Sequence, residues 1–166
     1  MRDHAADARH TFDNLRTKEG QPIPFTVRFL GTTKERADAE EQERLELKGP
    51  EVVGRCKQVR RYEGPFMFEQ MSLAVSRFSG LDLAELRGPY QIAVLAQEHG
   101  VLLGCGSESV EIAQASAEVS ELLEVDAGTP LLKLDRIIHS LDHVPLEWRM
   151  GYCRLAAVKY VTTLRN

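Results

Sequence analysis

The chain has 166 residues, 43% of them apolar and 28% charged, with a formal net charge of −4. That suffices for one domain with a real core, and the acidic balance argues against a surface that itself grips a phosphate backbone. No twenty-residue apolar run offers a membrane span, and the opening "MRDHAADARH" lacks the apolar centre of a secretion signal.

Residues 1–10 are polar and read as a tail or linker remnant ahead of a single domain over 11–166. "PFTVRFLG" (Pro24–Gly31) alternates between Pro and Gly boundaries and predicts a strand. "TTKERADAEEQERLEL" then predicts a helix, with Thr32 and Glu35 at capping-box spacing. Its run of Glu40, Glu41, Glu43, Arg44 and Glu46 reads as a solvated face. Val52–Leu73 predicts a hairpin turning at Glu63-Gly64, where Gly supplies a positive φ. A helix follows from about Pro89 to His99, stopped by Gly100. "VLLGCGSESVEIAQA" predicts a strand loosened by Gly104 and Gly106, and "SAEVSELLEV" a helix capped by Ser116. After a turn at Asp126–Pro130 comes a second hairpin, "LLKLDRIIHSLDHVPLEWRM", and "VKYVTTLRN" closes the chain as a strand. Hairpins outnumber parallel crossover units, so the expected architecture is α+β: an antiparallel sheet with helices on one side. Cys56, Cys105 and Cys153 lack paired spacing, which suggests reduced, buried thiols in a cytoplasmic protein.

Both hairpins carry more charge than half-buried strands need. In the first, a two-residue turn pairs Tyr62 with Pro65 and Gln58 with Glu69. Gln58, Arg60, Met67 and Glu69 then share one face, with Val59, Phe66 and Phe68 on the other beside Arg61. The second hairpin has two registers. A two-residue turn at Asp142-His143 sets Arg136 opposite Arg149 and Ile138 opposite Glu147, with Leu146, Trp148 and Met150 on the far face. A three-residue turn instead strands Arg136 among apolar side chains and leaves Arg149 as a surface partner of Asp135. We favour the first. Two adjacent guanidiniums are costly unless a carboxylate lies between them, and they suit a pocket that accepts an anion in fork geometry. The alternative is an internal Arg–Glu network with no ligand.

Catalytic patterns are sparse. His99 and His139 have no partners at metal-ligand spacing, and "GCGSES" lacks both a Walker lysine and a dinucleotide fingerprint, so neither cofactor nor metal is expected. Glu69 or Glu147 near arginines is more simply a hydrogen-bonding group than a general acid or base.

From Arg87 to Arg154 the chain resembles the effector-binding (UTRA) domain of GntR-type, HutC-like bacterial transcription regulators. A tyrosine-bearing helix stopped by Gly is followed by a strand, a helix running into "GTPLLKLDR", and a hairpin with "HVPLEWRMGYCR". The upstream "VRRYEGPFMFEQMSL" is similar to the family's first hairpin. The resemblance implies a chorismate-lyase-like fold, a homodimer, a pocket for a small anionic effector, and no enzymatic activity. It also implies that about seventy residues of winged-helix DNA-binding domain, absent from this chain, should precede it, so that DNA is met only through that domain. By position it assigns ligand contacts to Arg60, Glu69, Tyr90, Glu147 and Arg154. Arg136 and Arg149 join them from the hairpin register. Gln58 stands where many sugar-phosphate sensors have an arginine, and Arg149 where serine is common, which moves the expected anion site toward the second hairpin. Two other readings compete: a lyase-like enzyme of the same fold, and a dimerisation module whose Arg60–Glu69 or Arg149–Glu147 pairs close with no cavity.

Overall fold

The computed structural model describes residues 12–166; the tail expected over residues 1–10 lies outside them. Two hairpins make the centre of the molecule. Val52–Arg61 (β3) pairs with Pro65–Leu73 (β4), Pro130–Ser140 (β6) pairs with Pro145–Cys153 (β7), and the hairpins join through β4 and β7. Thr26–Arg36 (β2) and Leu103–Gln114 (β5) flank them, giving one antiparallel sheet of order β2-β3-β4-β7-β6-β5. Leu15–Thr17 (β1) and Val158–Tyr160 (β8) pair in a separate two-stranded sheet.

The second hairpin adopts the favoured register: Arg136 faces Arg149 and Ile138 faces Glu147. The first likewise sets Gln58 against Glu69. The tips differ from a plain two-residue turn. The ladder shifts between Arg60 and Arg61 and between Ile138 and His139, so Pro65 pairs with Arg61 rather than with the expected Tyr62. Each shift leaves one extra residue on the returning strand, Phe66 and Leu146. This bulge reorients both side chains, because an inserted residue breaks the alternation of faces. Phe66, expected beside Val59, packs with Met67 and Leu134, and Leu146, expected beside Trp148, packs with Ile138 and Leu73.

Three short helices lie on the main sheet: Ala39–Arg44 (α1), Ile92–Glu98 (α2) and Ala117–Leu123 (α3). Leu45, after α1, packs on Val53 and Trp148, and α3 packs on Val59 and Phe68. Phe68 pairs with Tyr152, on the same side of β7 as Trp148, so α1 and α3 share one face of the sheet. Helix α2 packs on Ile138 with the opposite face, beside the β1–β8 ribbon. Helices therefore flank both faces, not one. Burying large side chains such as Phe68 or Leu123 stabilises the fold by about 1.5–3 kcal/mol each.

Two helix starts also depart from expectation. Residues Thr32–Arg36 continue β2 against Cys56–Val52. The β-branched Thr32 and Thr33 suit that ladder better than a helix. The capping box forms six residues later: Glu41 N–H donates to Asp38 Oδ1 at 2.8 Å and Asp38 N–H to Glu41 Oε2 at 2.9 Å. Glu41 is not solvated but buried, where it accepts two 2.7 Å bonds from Arg55 and one of 2.8 Å from Ser72. Arg55 and Ser72 outweigh burial and hold its carboxyl below the usual range. Helix α2 starts at Ile92, with Pro89 left in an extended lead-in. Cys56 and Cys153 are buried, but Cys105 is exposed on the edge strand β5. Among the described residues no helix is long and apolar enough to cross a membrane.

Candidate ligand pocket

The register dictates which charges meet. Glu108, Arg136 and Arg149 form one row across β5, β6 and β7, and Gln58, Glu69 and Gly151 form another across β3, β4 and β7. Both rows point to the side covered by α2 and the β1–β8 ribbon. Apolar clusters close the two ends, around Leu134 and around Ile138, leaving a polar middle. There lies a cavity of about 540 Å³ lined by Gln58, Arg60, Arg136, Glu147 and Arg149 from the sheet. Phe12, Asp13 and Phe25 close it from the N-terminal side, and Pro89, Tyr90 and Ile92 from the α2 side.

Glu69 is the keystone rather than a wall. It is completely buried, accepts from Arg60 Nε and Nη2 at 2.9 and 2.8 Å, and accepts from Gln58 Nε2 at 2.6 Å and Arg149 Nη1 at 3.3 Å. Burial pushes its carboxyl up, but the Arg60 and Arg149 charges and the Gln58 bond outweigh this and bring it down to about 2. Arg60 bonds also to Asp13 Oδ2 at 3.0 Å, and its guanidinium lies 4.7 Å over the Phe25 ring. Arg149 forks onto Glu147 at 2.9 and 3.1 Å. The Tyr90 hydroxyl donates to Glu147 Oε2 at 2.5 Å. Burial and the Glu147 carboxylate raise the Tyr90 phenol well above its ordinary value, so it stays a donor.

Six of the seven residues singled out from the sequence therefore converge: Arg60, Tyr90, Arg136, Glu147 and Arg149 line the cavity and Glu69 supports two of them. Arg154 does not join them. Its guanidinium donates to Leu123 O at the end of α3, 3.3 Å away. The adjacent arginines 136 and 149 do not share one anion either. Glu147 neutralises Arg149, while Glu108 holds Arg136 at 2.9 and 2.8 Å and accepts from the Tyr160 hydroxyl at 2.6 Å. Sequence reasoning missed Glu108 and Asp13. Glu108 could have been found as the charged residue in phase with Val110 and Ile112 on a strand, whereas Asp13 carries no local signal. The Arg60–Glu69 and Arg149–Glu147 pairs do close, as a ligand-free module requires, but they close around a cavity and not in place of one.

The six-stranded fold is shared with known proteins. The sequence model of the UTRA domain matches residues 20–159. The structure superposes with TM-score 0.83 on the ligand-binding domain of a GntR-family transcriptional regulator from Bordetella bronchiseptica, at 28% identity over 93% of this chain and 98% of that one. The effector domain of PhnF from Mycobacterium smegmatis matches with TM-score 0.77 at 17% identity, over 99% of this chain and 95% of that one. A GntR-family regulator from Enterococcus faecalis V583 matches with TM-score 0.73 at 20% identity, over 85% and 100%. On the family match and the regulator domain that superposes along almost its whole length, the chain belongs to the UTRA family, as a regulatory domain and not an enzyme.

Proposed function

We propose that the cavity binds a small anionic metabolite, and that this HutC-like sensor domain acts as a cytoplasmic homodimer. Through it, pocket occupancy sets DNA binding by an attached winged-helix domain. The observation that carries the ligand class is the state of the two central arginines. A guanidinium has five N–H donors. Among the described residues, Arg60 and Arg149 each spend three on carboxylates and keep two, held in place from behind by the shared Glu69. Paired donors on rigid guanidiniums recognise a carboxylate or phosphate edge. Gln58 Oε1, buried without a partner among the described residues, adds an acceptor for a ligand hydroxyl or amine. Arg60, Tyr90, Arg136, Glu147 and Arg149 would touch the ligand, with Glu69 positioning them. Support for a homodimer comes from β5, an edge strand exposing Val110 and Ile112, the latter 78% accessible.

Arg149→Lys tests the pocket, because it keeps a charge opposite Glu147 but loses the fork. In a thermal-melt panel of carboxylates, sugar acids and phosphate esters, the ligand that stabilises the wild type should bind at least about tenfold more weakly to the variant. The ligand-free melting temperature should fall by a few degrees, as the lost fork to Glu147 requires, and the ligand-induced stabilisation should fall further still. Equal losses in both measurements would sink the assignment.

A further inference from the structure

Two carboxylates share Arg60, and they hold it very unequally. Glu69 comes from the neighbouring strand and is fully buried under four hydrogen bonds. Asp13 comes from the segment before β1 and makes one bond to Arg60, at Nη1. Among the described residues its other oxygen accepts only the Leu15 amide, 3.0 Å away on its own backbone. Losing Glu69 would strand two arginines and a glutamine; losing Asp13 frees a single N–H. The Asp13 carboxylate is also a cavity wall, standing where a ligand would meet Arg60.

Charge counting points the same way. Arg60, Arg136 and Arg149 face Asp13, Glu69, Glu108 and Glu147, so three cations meet four anions and the cluster carries −1. Without Asp13 it is neutral. A monoanion that takes Asp13's place restores −1, whereas one bound beside Asp13 leaves −2 in a largely buried site. Charge repulsion of that kind favours exchange over addition.

We infer that Asp13 is a built-in occupant of the effector's anion subsite, and that a ligand carboxylate displaces it from Arg60 and so releases residues 12–17. The inference rests on the proposed pocket. What the released segment holds makes the exchange consequential. Asn14 Nδ2 donates to Glu108 Oε2 and to the Tyr160 hydroxyl, each at 3.0 Å, and Asn14 O accepts from Val161 N–H at 2.7 Å. Leu15 is buried in the cluster around Leu134, and Leu15–Thr17 pair with Tyr160–Val158. Arg136 reaches the same segment through Glu108, so two cavity arginines end on consecutive residues, Asp13 and Asn14. Loss of the Asp13 contact therefore loosens the β1–β8 ribbon, while the six-stranded sheet stays intact.

Acetate against chloride at matched ionic strength and neutral pH tests this without knowledge of the effector. The Nε–H resonance of Arg60 reports binding, and hydrogen exchange at the Leu15 amide reports release. Acetate should shift the Arg60 signal in the wild type and speed Leu15 exchange about tenfold, with β3 and β4 amides unchanged. Asp13→Asn, which removes the competing charge, should bind acetate about tenfold more tightly. If acetate shifts Arg60 while Leu15 exchange stays constant, or if Asp13→Asn binds no more tightly, displacement is wrong and the pocket survives. If acetate at molar concentration shifts Arg60 in neither protein, the anion pocket itself falls and this inference with it.

Discussion

The two central hairpins share a plan and divide the labour. Each has a short loop followed by a bulged apolar residue, and each presents an arginine and a glutamate to the same face. In β3–β4 the glutamate sits across the ladder from Gln58 and below Arg60, with every lone-pair direction satisfied and no contact with the cavity. In β6–β7 Glu147 sits two residues from Arg149 on one strand and opens onto the cavity. A saturated carboxylate fixes geometry; an open one can exchange partners. The first hairpin is thus the template and the second the contact surface.

Glu69→Ala should break that contrast most severely, because it leaves two buried arginines without their counter-charge. We expect a loss of about 3–5 kcal/mol in chemical denaturation, and only about 1–3 kcal/mol for Glu147→Ala, whose Arg149 retains Glu69 and an open cavity. Equal losses would erase the distinction between template and surface. Acid titration should separate the hairpins next. The Glu69 carboxyl lies at about 2 in the folded protein against an ordinary 4.5. Its stabilising contribution is full above pH 4.5. It is lost as the pH falls from there toward 2, because the unfolded chain takes up the proton first. Glu69→Gln should flatten that part of the stability–pH curve. Tyr90→Phe removes one charge-assisted bond to Glu147 and should cost about 1–2 kcal/mol in chemical denaturation at neutral pH. The smallest effect is at the loops. Gly64 takes φ 99° in the first and His143 takes φ 61° in the second, so His143→Gly should gain a few tenths to about 1 kcal/mol in thermal melts.

Most of the sheet was legible because alternation and turn residues fix register together. Arg136, Ile138, Glu147 and Arg149 could be set on one face from "LLKLDRIIHSLDHVPLEWRM" alone, since the other register buried an arginine among leucines. The errors cluster where long-range pairing overrides local pattern. Thr32 to Glu35 has the spacing of a capping box, but the β3 ladder holds it extended, and Thr32 Oγ1 donates instead to Leu86 O at 3.0 Å. Glu41 reads as solvated from its acidic neighbours, yet Arg55 and Ser72 are brought to it from strands 14 and 31 residues away. Asp13 is the extreme case: its partner is 47 residues distant and its surroundings are polar. No periodicity could reveal it. Arg154 errs in the other direction, since its motif matched but the strand end carries it past the cavity to α3.

The one-residue bulges at Phe66 and Leu146 also set rules for how these loops can change over evolutionary time. Side chains in a strand alternate, so a one-residue slip of β7 against β4 and β6 without a compensating bulge would turn β7 over. Trp148 and Met150 would then fill the cavity, and Glu147 and Arg149 would meet α1 and α3. Loop insertions of any length that leave the ladder in place preserve the faces. Relatives that keep this pocket should therefore vary in loop length but hold the pairing of Ile138 with Glu147 and Arg136 with Arg149.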